Sequence, residues 1–182
     1  MKLNLKQVLD LNELAKPRFD SARRRDQYGF MYEATIGDDP VAAFENSRNR
    51  FGLEHAVAVG CMEFAMRQMG VAADLADSIV CNSFGELRDA ITSGRIDPEI
   101  GDRTAAGSST NHFFVGALLF VEGREHCAGT MDWIDDLIAK EVIGSNDRFA
   151  HQSRSLAGTI LIDATTVYRL LKERLLSGLN VN

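Results

Sequence analysis

The chain has 182 residues, of which 45% are apolar and 25% charged, with a formal charge of −6. This is the make-up of an ordinary globular protein with room for one large or two small domains. No apolar run approaches the ~20 residues that span a bilayer, and the start, Met1-Lys2-Leu3-Asn4-Leu5-Lys6, has no signal-peptide core, so a cytoplasmic protein without membrane contact is expected.

Three widely spaced cysteines, Cys61, Cys81 and Cys127, argue against a disulfide framework or a C-x-x-C zinc knuckle, and they read as small buried apolar residues. A negative chain is a poor partner for a polyanion unless its charge is uneven. Here it is uneven. Residues 1 to 30 hold seven Lys/Arg (Lys2, Lys6, Lys16, Arg18, Arg23, Arg24, Arg25) against four acids, a local +3 that leaves −9 for the remainder.

From the N-terminus, Leu5, Val8, Leu9, Leu14, Phe19 and Ala22 fall where two short helices share one buried face. The first helix is expected at 4–11, a turn near Asn12 to Lys16, and the second helix from Pro17, where a missing N–H costs nothing. Two helices joined in this way match a helix-turn-helix, though an ordinary αα corner has the same pattern. Tyr28 to Ile36, rich in aromatic and β-branched residues and closed by Gly37-Asp38-Asp39-Pro40, predicts a short strand or hairpin. Val41 to Arg50 reads as a helical turn or an irregular connection.

The centre of the chain is Arg50-Phe51-Gly52-Leu53-Glu54-His55-Ala56 and the apolar run behind it. Ala56, Val57, Val59, Gly60, Met62, Phe64, Ala65, Met66 and Met69 keep helical spacing, Gly70 ends it, and Val71 opens a second helix that continues to Ser93 and stops at Gly94. A glycine turn this tight predicts a helical hairpin. Residues 95–111, with Asp97-Pro98, Gly101 and Gly107, have a linker's composition, and a domain boundary is expected there.

His112 to Val121 is apolar on both faces, as in a strand covered on two sides. Gly123-Arg124-Glu125 reads as a turn and His126 to Thr130 as a returning strand. Trp133, Ile134, Leu137, Ile138 and Val142 have helical spacing. Gly158 to Ile162 is a further short strand, and Asp163 is placed to cap a last helix over 164–177, with Val167, Leu170, Leu171 and Leu175 as its apolar stripe and Lys172 toward solvent. The class expected is α+β: a mostly helical domain at 1–94 and a small α/β domain at 112–182 for dimerisation or effector sensing.

Taken together, Leu5 to Arg25, Gln27-Tyr28-Gly29-Phe30, Arg50 to Ala56, and Gly70-Val71 leading to Ala76 and Ile79 resemble the DNA-binding domain of the MerR-type (mercury-resistance regulator) transcription factors. The resemblance covers about half of the chain, with Gly52 where that family usually has Ser or Thr. It implies a winged helix-turn-helix whose second helix enters the major groove of double-stranded DNA. Lys16, Arg18, Arg23, Arg24 and Arg25 would then hold phosphates or read base edges, with Arg48 and Arg50 near the wing. The planar donor fork of arginine grips a phosphate or the O6/N7 edge of guanine in two places. One short helix reads few base pairs, so a homodimer is expected, acting without chemistry and without a cofactor.

Two other readings compete. The first is a protein–protein interaction module that does not bind DNA. The second is a small hydrolase built on Gly107-Ser108-Ser109-Thr110-Asn111-His112 with Asp132, Asp135 or Asp136, although no Gly-x-Ser-x-Gly elbow or phosphate loop is present. A metal is not expected: Cys81 has no cysteine neighbour, and His126 and Cys127 point to opposite faces of a strand. Met62, Met66 and Met69 read as core filler.

Overall fold

The computed structural model describes residues 2–31, 51–97, 112–143 and 156–179. Its elements are α1 (Leu5–Leu11), α2 (Lys16–Arg23), a 3-10 turn (Gly29–Met31), α3 (Leu53–Gln68), α4 (Ala73–Thr92), β1 (Phe113–Phe120), β2 (Gly123–Thr130), α5 (Met131–Ile143), β3 (Leu156–Asp163) and α6 (Ala164–Leu179). The class is α+β.

Local chemistry sets the ends of these elements. Asn4 accepts from the Gln7 N–H while the Gln7 side chain accepts from Asn4 N–H, a reciprocal cap that starts α1. At α3 the cap residue Gly52 has no side chain to offer, and its own N–H donates instead to His55 Nδ1 at 3.2 Å. Gly70 and Gly94 follow the ends of α3 and α4 at φ of +68° and +77°, a left-handed backbone that costs glycine nothing.

The three strands form one antiparallel sheet in the order β2-β1-β3. Central β1 is apolar along both faces because both are covered. On one side Val115 and Ala117 join a core that includes Val57, Val59, Ile79, Leu87, Val167 and Leu171 from α3, α4 and α6. On the other, Leu118, Phe120 and Cys127 pack under Leu137 and Ile138 of α5. The first core runs without a break from Leu3 and Val8 to Leu171, so the helical hairpin, the sheet and α6 share one interior.

At Gly60 α3 lies close against its neighbours: a Cβ there would lie 2.6 Å from Val167 Cγ1 and 2.8 Å from Asn12 Oδ1. The Asn12 amide also donates to the carbonyls of Val8 and Ala56, which ties the turn after α1 to α3.

Several expectations need correction. Tyr28 to Met31 is not extended: Tyr28 has a φ of +63° and leads into the 3-10 turn, because Asp77 on α4 accepts from the N–H groups of Tyr28 and Gly29 at 2.7 and 3.3 Å. The hairpin turn is Val121–Glu122, so Gly123, Arg124 and Glu125 already belong to β2. Phe64, Met69 and Leu170 keep helical spacing but lie exposed. Lys172 does not point freely into water, since its Nζ sits 2.6 Å from the buried Asp97 carboxylate. The remainder of the predicted strand or hairpin (32–36), the connection at 41–50 and the linker from 98 to 111 lie outside the described residues.

Candidate nucleic-acid interface

Helix α2 is held from behind. Phe19 and Ala22 are buried, and the Phe19 ring meets that of Tyr28 at 5.1 Å between centroids. The chain leaving α2 is pinned to the first turns of α4 by Asp77 and by Gln27 Nε2 donating to Asp74 at 3.1 Å. At the other end of the unit, Leu3 and Phe51 exchange two backbone hydrogen bonds, which brings the N-terminus beside the start of α3.

At the centre of this arrangement lies a buried ionic cluster that the sequence reading missed. Glu63 on α3 is only 4% exposed. The Tyr28 hydroxyl donates to its Oε1 at 2.6 Å, while Arg67 Nε and Arg18 lie 2.6 and 3.1 Å from its Oε2. Burial, then the adjacent Glu63 carboxylate, pushes the Tyr28 phenol far above its ordinary range. Glu63, set in the otherwise apolar run from Ala56 to Met66 with Arg67 one turn on, was the signal in the chain, because a buried carboxylate requires cationic or hydroxyl partners.

The predicted basic residues therefore divide. At about 100° per residue, Arg18 leaves α2 from nearly the opposite side to Lys16. Arg18 serves Glu63 and joins α2 to α3. Lys16 pairs with Asp20 at 2.8 Å on an exposed surface, an interaction worth at most about 1 kcal/mol and easily exchanged. Arg23 ends the helix half-buried, and Arg24 and Arg25 follow it exposed. Cations there also complement the negative end of the helix dipole, which is a structural reason for their presence. Arg48 and Arg50 lie outside the described residues.

The other candidate sites resolve differently. His112 Nδ1 lies 2.6 Å from Asp163, and Asp163 also caps α6 by accepting from the Thr166 N–H and hydroxyl. Burial would raise the Asp163 pKa, but the bonds from Thr166 and His112 outweigh it and hold the carboxyl below its usual range. The serines at 108 and 109 lie outside the described residues. Burial, aided by Asp77, pushes the Cys81 thiol up to about 12, which keeps it protonated near neutral pH. His126 faces α4, with Nε2 3.3 Å from the Ser78 hydroxyl, while Cys127 lies buried in the small core on the other side of the sheet.

Set against family models, characterised proteins and solved structures, the chain matches none. Among the described residues no helix is long and apolar enough to cross a membrane.

Proposed function

We propose that the protein is a DNA-binding transcriptional regulator that presents α2 to the major groove of duplex DNA. One observation carries this reading: α2 is clamped along its inner side by Phe19, Ala22 and the Arg18–Glu63 pair, while Lys16, Arg24 and Arg25 stand in water. A helix fixed from behind reaches a groove with little further ordering cost, and exposed cations supply the phosphate contacts. Lys16, Arg24 and Arg25 are assigned to phosphates or base edges, and Arg18 to holding the helix.

Binding of a labelled duplex from the region flanking the gene, titrated with salt, tests this. Affinity should fall steeply with salt, and Arg24→Ala/Arg25→Ala should flatten the log–log slope by about 0.9 for each phosphate that is no longer neutralised. Affinity indifferent to salt, or a slope the double variant leaves unchanged, would sink the DNA reading in favour of an interaction module.

The regulator is proposed to act as a homodimer, joined through the groove between α3 and α6. There Phe64 and Leu170 are exposed, flanked by Arg67 and Arg174. Leu170→Glu should shift sedimentation toward the monomer, and a wild-type protein that sediments as a monomer at micromolar concentration rejects the dimer.

A further inference from the structure

Far from α2 in sequence, the C-terminal half of α4, the start of β1, the end of β2 and the first turn of α5 enclose a half-open cleft of about 350 Å³. That volume is at the small end of what small-molecule sites occupy, roughly 300–1,000 Å³. Phe113 and Ala128 line it together with Trp133, and Glu86 and Asp89 stand on its rim. The two carboxylates are three residues apart on α4, hence on one face of the helix.

Trp133 is the unusual part. A Cβ on Gly129 would fall 2.8 Å from its Cε3 and 3.2 Å from its Cδ2, so the indole rests directly on the glycine backbone. Even so, the side chain is 46% exposed. One side of the ring is supported, and the rest is left at the wall of the cleft that Glu86 and Asp89 also line.

The charges around it are incomplete. Arg88 Nε approaches Asp89 only to 3.9 Å, and no ion-pair partner of Glu86 occurs among the described residues. Arg95 also lines the cleft, its Nε donating to Ser93 Oγ at 3.2 Å, so the lining sets the carboxylates of Glu86 and Asp89 against one guanidinium and keeps an excess of negative charge. An aromatic face carries partial negative charge and attracts cations, and two carboxylates strengthen that preference.

We infer that this cleft binds a small organic ammonium ion, with its cationic head between Trp133 and the carboxylates of Glu86 and Asp89 and its apolar part over Phe113 and Ala128. The occupant is a small molecule rather than a protein segment, since a volume of about 350 Å³ holds only a small ligand. The inference does not depend on DNA binding, because occupancy is read on the protein alone.

Trp133 is the only tryptophan of the chain, so its fluorescence reports the site directly. Titration with benzyltrimethylammonium should give a saturable change. Glu86→Gln/Asp89→Asn alters two exposed side chains, leaves the fold intact by circular dichroism, and should weaken binding about tenfold or more. Followed by calorimetry, Trp133→Leu should lose binding and Trp133→Phe should recover part of it. Absence of saturation, an unchanged affinity in the double variant, or equal binding of the uncharged isostere neopentylbenzene would each overturn the assignment.

Discussion

The Tyr28 hydroxyl donates to Glu63 Oε1 at 2.6 Å, inside a core where both residues are nearly inaccessible to water. That bond joins the chain leaving α2 to the middle of α3. A buried acceptor that loses its donor incurs its full desolvation cost. Because Arg18 and Arg67 remain, Tyr28→Phe should destabilise by about 1–2 kcal/mol, measured by urea denaturation. The raised phenol pKa also fixes a pH dependence: Tyr28 contributes its full stability below its ordinary value of 10.0, and loses it as pH rises beyond. Wild type and Tyr28→Phe should therefore converge in stability at strongly alkaline pH.

Arg18 and Arg24 should respond differently to truncation although both are arginines of one short segment. Arg18 lies against buried Glu63 and is itself 48% exposed, whereas Arg24 is exposed beyond the helix end. Arg18→Ala should cost about 1 kcal/mol of stability, reduced by its partial exposure and by the presence of Arg67. Arg24→Ala should change stability by less than about 0.5 kcal/mol, its effect falling on the DNA binding proposed above. Equal thermal shifts for the two variants would remove the division of roles.

Gly60→Ala sets helix propensity against packing. Alanine in the middle of α3 gains up to about 1 kcal/mol over glycine, but its methyl group would meet Val167 and Asn12 inside van der Waals distance. Overpacking of this kind costs about 1–3 kcal/mol, so the variant should be less stable. Adding Val167→Ala should recover part of that stability by making room for the methyl group, and a double variant that is worse than both singles combined would argue against this crossing.

His126 gives a second pH signature, on the acid side. Burial, and then Arg124, hold its pKa below the ordinary 6.5. The unfolded chain therefore takes up the proton first, and stability present above that pH declines as pH falls below it. His126→Gln should flatten this part of the pH profile, and a variant whose acid decline matches the wild type would assign the effect to another group.

Much of the architecture was legible because its signals are local. Periodicity located α1 to α4 within a few residues, Gly70 and Gly94 marked the ends of the long helices, and the doubly apolar run at 112–121 became the central strand. Errors arose where a distant residue overrode local preference. Tyr28 to Met31 has strand-like composition, yet Asp77, 49 positions away, draws its backbone into a left-handed turn. Spacing alone also could not tell that Leu170 and Phe64 would be left outside the packed layer.

The same line divides the candidate site. The sequence by itself determined that the first thirty residues carry excess positive charge on two short helices, because composition and periodicity belong to the chain whatever it packs against. Only the tertiary structure decided which of those charges face water, since the burial of Glu63 draws Arg18 inward while Lys16 and Arg24 stay outside. It likewise gathered Glu86, Phe113, Gly129 and Trp133 into one cleft. Side chains so far apart in the chain acquire a shared chemistry only when packing of the sheet against the helices brings them together.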